Sequence, residues 1–280
     1  MRLGLVSNCW KTQLDSGVHL DELIAEAAER RLCVIELRQT CLGLYETEGD
    51  FIPQAGLLSE LAGNHPKVRF NIAINVPFLS AGFTANDPVF QAGVQSAFAV
   101  SGEYTPHLRL VDLSTTNEQL GPDDVPFAAK TIAKLTEPMT QLDGLLSIEQ
   151  SRQSWSRFYE VFLAARKHLG AEAGRLKLCY DPCNLLTPDD GTDPDAVTAA
   201  LKNDEISMIH FKQRCDRAIL DVVADGEINW ANQLSAIQGI GYAGPALFEI
   251  TSSDTVWQRL HDSIEYLSHD DVDANFGKII

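Results

Sequence analysis

The sequence predicts a single (β/α)₈ barrel. Three observations lead there: short apolar runs alternate with longer amphipathic stretches along the chain, the pairs number eight, and no tight hairpin signal joins two neighbouring runs. Such alternation calls for parallel strands linked by crossover helices. Eight units without a hairpin favour closure into a barrel over the alternative, a doubly wound open sheet. At 280 residues the chain has the length at which such barrels form one domain. The barrel is assigned to residues 1–269 and a loosely held tail to 270–280.

The elements follow in order. The first strand is Leu3–Ser7. A helix is expected over His19–Arg31, where Leu20, Leu23, Ile24 and Ala27 share one face. The second strand, Cys33–Leu37, runs out through Glu36 and Arg38. Phe51–Gly63 reads as a helix with a proline near its first turn. Val68–Val76 is the third strand and Pro88–Ser101 its helix. Leu108–Leu113 and Val125–Leu142 make the fourth unit, Leu145–Glu149 and Ser154–Leu169 the fifth. Leu176–Asp181 is the sixth strand, followed by a helix around Asp195–Lys202. Ile206–Phe211 is the seventh. A long loop then leads to a helix near Trp230–Ile237, with Gly226 expected to allow a turn beside Asp225 and Glu227. Ala246–Ile250 and Thr255–Leu267 close the series.

Composition narrows the function classes. With 45% hydrophobic residues the chain can bury a large core without disulfides. The six cysteines, Cys9, Cys33, Cys41, Cys179, Cys183 and Cys215, form no CxxC pair and read as reduced thiols. A net charge of −17 disfavours nucleic acid and anionic lipid as partners. The opening MRLGLVSN carries no apolar signal segment, and no 18-residue apolar run occurs, so the expectation is a cytoplasmic protein that does not span a membrane.

Barrel enzymes place their chemistry at the C-terminal ends of the strands. Strand two ends in Glu36, strand five in Glu149, strand six in Asp181, strand seven in His210 and strand eight in Glu249. Strands five to eight are consecutive, so their end residues converge on one part of the mouth. Three carboxylates crowded together repel, and one divalent metal ion resolves the conflict. Three oxygens and one imidazole suit Mn²⁺, Mg²⁺, Co²⁺ or Zn²⁺. Taken singly, each residue has an ordinary explanation: a salt bridge for a glutamate, a satisfied core position for His210, a turn at Asp181-Pro182. The metal reading rests on their coincidence on consecutive strands.

Four segments, SIEQ around Glu149, YDPCN from Tyr180 to Asn184, IHFK from Ile209 to Lys212 and FEI around Glu249, resemble the xylose-isomerase-like barrels. VIELRQ at Val34–Gln39 and the stretch from Ala224 to Ile250 add to the likeness, which spans nearly the whole chain in order. That superfamily includes sugar and sugar-phosphate isomerases and epimerases, hydroxypyruvate isomerase and the endonuclease-IV group. The resemblance implies Glu149, Asp181, His210 and Glu249 as metal ligands and Glu149 and Glu249 as an acid–base pair. It also implies a small carbohydrate substrate, isomerised or epimerised by proton transfer through a metal-held enediolate. A lyase or dehydratase could use the same residues, and a non-catalytic barrel is the third possibility.

Departures refine this. Asn184 stands where a histidine is found in the DNA-cleaving, three-zinc members and the free-sugar 3-epimerases. Ser151 and Gln213 replace a lysine and an acidic residue of true xylose isomerases. One metal and proton transfer are therefore expected rather than two metals and a hydride shift. Around the site, Lys212 faces the same way as His210 by strand parity and is expected either to bind substrate or to form a rim salt bridge. Arg214 and Arg217 could hold an anionic substrate or be solvated loop charges. Glu36 could bind a sugar hydroxyl or orient His210. Trp10 could shield the site or be an ordinary loop aromatic. Lys212, Asn184, Glu36, Trp10 and Arg214 are thus the substrate-binding candidates. Homo-oligomer formation is left open.

Overall fold

The computed structural model describes residues 1–116 and 119–269; the expected tail at 270–280 lies outside them. Its centre is a closed barrel of eight strands: β1 (Arg2–Val6), β2 (Val34–Arg38), β3 (Arg69–Asn75), β4 (His107–Val111), β5 (Leu145–Glu149), β6 (Leu176–Tyr180), β7 (Ile206–Phe211) and a closing strand, Pro245–Phe248. Every neighbouring pair is parallel, and closure is made where Leu3 and Leu5 of β1 register with Ala246 and Phe248. The eight units expected from the hydrophobic pattern are therefore present in the expected order.

Two buried layers hold the barrel. The larger lies between the sheet and the surrounding helices. The helix Leu20–Glu29 turns Leu20, Leu23, Ile24 and Ala27 onto it, the face its sequence spacing indicated. The smaller fills the lumen with Val6, Val34, Cys179, Met208 and Leu247. Successive strand residues point to opposite faces. From β2, β6, β7 and the closing strand, the next lumen-facing positions towards the mouth are Glu36, Asp181, His210 and Glu249. Gly4 keeps β1 close to its neighbour: a Cβ there would sit 1.9 Å from the Val34 carbonyl oxygen and 2.6 Å from Leu247.

Three local expectations are corrected. The helix expected from Phe51 begins only at Ala55. Phe51 has φ +51°, outside the helical region, and the next residues form a bridge between Pro53 and Glu46. The loop after β7 contains a small antiparallel ribbon, Arg214–Cys215 with Ala218–Ile219, turned by Asp216 and Arg217 at positive φ. With no Gly or Asn at the turn, the sequence carries little signal for it. Gly226 provides close approach, since a Cβ would meet the Gln213 side chain at 2.5 Å. Gln213 is fully buried and organises this loop. Its Nε2 donates to the carbonyls of Ala224 (2.6 Å) and Ile228 (2.9 Å), and its Oε1 accepts from the amides of Arg214 and Ile228. All six cysteines are free, and among the described residues no helix is long and apolar enough to cross a membrane.

Candidate metal centre

Glu149 ends β5, Asp181 follows β6, His210 lies on β7 and Glu249 follows the closing strand. One ligand atom from each lies within 4.8 Å of all the others, and all four residues are buried. His210 Nδ1 sits 3.4 Å from Glu149 Oε1 and 3.3 Å from Glu249 Oε2. Lys212 Nζ lies 2.7 Å from Asp181 Oδ2 and 2.6 Å from Glu249 Oε2. Those two buried oxygens are nonetheless without a well-oriented hydrogen bond. Lys212 bridges the Asp181 and Glu249 carboxylates.

The surrounding charges explain how these groups coexist. Arg109, fully buried on β4, donates through Nε to Glu36 Oε1 (3.1 Å), reaches the same carboxylate through a second guanidinium nitrogen, and places its third 2.8 Å from Glu149 Oε2. Glu36 also accepts from Asn71 Nδ2 (2.7 Å) and faces His210 Nε2 at 3.5 Å. Burial pushes the Glu249 carboxyl up, but Lys212 and then His210 outweigh it and hold it well below the usual carboxylate range. At Glu149 burial again opposes ionisation, and Arg109 and His210 prevail. At Asp181 burial wins and Lys212 offsets it only in part, so its carboxyl is raised.

Four buried carboxylates, Glu36, Glu149, Asp181 and Glu249, thus share the mouth with two buried cations, Arg109 and Lys212. Burial opposes protonation of His210, but Cys179, Glu149 and Glu249 outweigh it and hold its imidazole well above the ordinary value; a bound cation would take the place of that proton. The donor set, its spacing and the excess of carboxylates over Arg109 and Lys212 fit one divalent cation.

The other expected residues divide. Lys212 and Asn184 are at the cluster: Asn184 Nδ2 donates to Glu149 Oε1 and to the Gln150 carbonyl, both at 3.0 Å, and its Oδ1 lies 3.4 Å from Lys212 Nζ. Glu36 is fully buried, with Oε1 3.5 Å from His210 Nε2. Trp10 is not brought to the site. It is fully buried, 5.8 Å from the Trp257 ring, because the residues after β1 fold inward as a short helix. Arg214 turns away to pair with Glu227 at 3.0 Å, and Arg217 pairs with Asp189.

Residues not singled out in sequence also matter. Arg109 could have been found by parity, as a charge at the centre of the apolar strand HLRLV. Asn8 donates to Glu249 Oε1 at 3.3 Å. Cys179 lies 3.3 Å from His210 Nε2, its thiol pushed up to about 12, chiefly by burial. A cleft of about 430 Å³ opens beside Glu249 and is lined by Asn8, Lys11, Arg38, Thr40 and Lys212 among others. Glu149 lies below it.

The closed parallel eight-stranded barrel is a TIM barrel, and its fold is similar to that of a xylose isomerase domain containing protein from Salmonella typhimurium (TM-score 0.65, 16% identity, covering 95% of this chain and 97% of that one). Among particular proteins, an IolI protein solved with a binding zinc atom superposes with a TM-score of 0.72 at 14% identity, covering 96% of this chain and 98% of that one. The probable 3-DHS dehydratase AsbF from Bacillus anthracis gives 0.67 at 15% identity over 96% and 97%. No family model matches the chain, and no curated protein matches it in sequence.

Proposed function

We propose that this protein is a divalent-metal-dependent isomerase or epimerase acting on a sugar, sugar acid or keto-sugar. The observation that carries the reading is the convergence of Glu149, Asp181, His210 and Glu249 within 4.8 Å. These four residues would hold the ion, with Mn²⁺ favoured by three hard oxygens and one nitrogen. A divalent ion bound there polarises a carbonyl oxygen and acidifies the neighbouring C–H. The fold is shared with a D-psicose 3-epimerase from Clostridium cellulolyticum H10 (TM-score 0.62, 11% identity, covering 100% of this chain and 96% of that one).

Glu249 is the base. It borders the cleft, and Lys212 keeps it ionised and aimed from 2.6 Å. Glu249, once protonated, returns the proton to the neighbouring carbon for isomerisation; epimerisation requires Glu149, which faces the same cluster, to enter the step protonated and deliver its own proton to the other face of the same carbon while Glu249 keeps the one it took. Glu36, whose Oε1 lies 3.5 Å from His210 Nε2, steadies the imidazole so that Nδ1 faces the carboxylates. Asn184 holds Glu149 in place. Lys212 also favours a second reading, elimination: an ammonium beside the base can protonate a departing hydroxyl.

Incubating Mn²⁺-loaded protein with a panel of sugars and sugar acids in D₂O separates these. Deuterium uptake without loss of mass is the outcome expected for isomerisation or epimerisation; loss of water marks elimination. Glu249→Gln should lose at least about a hundredfold in exchange rate. Full exchange by that variant would remove Glu249 from its role.

A further inference from the structure

We propose that the cleft carries a carboxylate-binding subsite centred on Arg38, so that the substrate is a polyhydroxy or keto acid rather than a neutral sugar. This deepens the proposed function and rests on it.

Arg38 ends β2 on the same face as Glu36, two residues closer to the mouth, and lines the cleft together with Glu249 and Lys212. It is half-buried, and among the described residues its guanidinium forms no hydrogen bond or ion pair. The other cations around the mouth are taken: Lys212 by Asp181 and Glu249, Lys11 by Asp15, Arg214 by Glu227 and Arg109 by Glu36 and Glu149. Arg38 faces Glu249 across the cleft closely enough to help hold that carboxyl down, yet its fork is not engaged by any hydrogen bond among the described residues.

The charge count states what it takes. Arg38 brings a single positive charge to the cleft wall. A carboxylate matches it; a phosphate, carrying roughly −1.5 to −2 at neutral pH, would overshoot. The planar guanidinium fork also fits a carboxylate with two parallel hydrogen bonds.

The wall is built to hold this arm. The Arg38 amide donates to the buried Ser7 Oγ at 2.9 Å. The next residues turn through Thr40, a β-branched residue at φ +72° that also lines the cleft. The buried Glu46 carboxylate fixes that turn, accepting from the amides of Thr40 (2.7 Å) and Leu42 (3.0 Å). Strain of this kind persists where the surroundings over-determine it, as at binding sites.

The test is calorimetry in two stages. Mn²⁺ is titrated first; no Mn²⁺ binding by the wild type overturns the proposed function itself. D-gluconate, D-glucitol and inorganic phosphate are then titrated into Mn²⁺-loaded protein. Gluconate and glucitol differ only in that a carboxylate replaces a CH₂OH group. Gluconate should bind at least tenfold more tightly than glucitol and more tightly than phosphate. Arg38→Met should bind Mn²⁺ as the wild type does and lose gluconate affinity by roughly tenfold to a hundredfold. Equal binding of gluconate and glucitol, tighter binding of phosphate, or undiminished gluconate binding by Arg38→Met each overturns the subsite while leaving the metal site standing. Should Arg38→Met lose Mn²⁺ binding, Arg38→Lys, which keeps the charge and loses the fork, carries the comparison with the same expected direction.

Discussion

Arg109 shows how a single residue underwrites the site. It lies inside the barrel and spans Glu36 and Glu149, the carboxylates proposed to orient His210 and to ligate the ion. Burial would strip its charge; the two glutamates instead hold its guanidinium well above the ordinary value. Arg109→Met leaves two buried carboxylates uncompensated and should cost about 3–5 kcal/mol, read by urea unfolding. Arg109→Lys should recover only part of this, because one ammonium cannot reproduce three directed contacts. His107, two residues earlier on the same strand, makes a pH prediction. It lies in the lumen with Nε2 2.7 Å from Ser147 Oγ, and is pushed down to about 3 by burial, with Arg69, Arg109 and Lys177 adding repulsion. The unfolded chain binds this proton near pH 6.5 and the folded one only near 3. Its contribution to stability is therefore complete above about pH 6.5 and lost as pH falls towards 3, at about 1.4 kcal/mol per unit. His107→Asn should flatten the stability–pH slope between about pH 6 and 4; an unchanged slope in urea unfolding at several pH values would count against it.

At the scale of elements, strand parity does most of the positioning. Glu36 and Arg38 share a face of β2, His107 and Arg109 of β4, and His210 and Lys212 the line of β7, so each strand delivers one deep and one shallow group to the lumen. The helix beginning at Trp230 anchors the last of these: Trp230 Nε1 donates to the Lys212 carbonyl at 3.1 Å, and its ring meets Phe211 edge-on at 5.0 Å. Barrel closure depends on close approach at Gly4. Gly4→Ala would force a Cβ into the Val34 carbonyl and should cost more than about 2 kcal/mol; wild-type stability in chemical denaturation would show that β1 can retreat.

The whole molecule brings together residues more than two hundred positions apart, as with Asn8 and Glu249. A metal ion binding this assembly but not the unfolded chain must stabilise it. At a hundredfold excess over its dissociation constant the gain is about 2.7 kcal/mol, or a rise in Tm of about 5 °C. Differential scanning calorimetry with and without Mn²⁺ checks this. His210→Ala should abolish most of the rise; a full rise in that variant would place the bound ion elsewhere.

The amino-acid sequence by itself determined the eight strand–helix units, their order and the four groups that end strands five to eight, because hydrophobic periodicity and strand parity are local properties. It also carried both readings of Glu36 and Lys212 without choosing between them. Tertiary structure supplied their neighbours. It set Glu36 under His210, put Lys212 between Asp181 and Glu249, sank Trp10 against Trp257 and turned Arg214 to Glu227. It also revealed Arg109 as the counter-charge at the centre and placed Arg38 in the cleft wall beside Glu249. Which charge pairs with which depends on barrel closure and on the paths of the loops. Those join residues far apart in the chain, and no local pattern in the sequence records their distances.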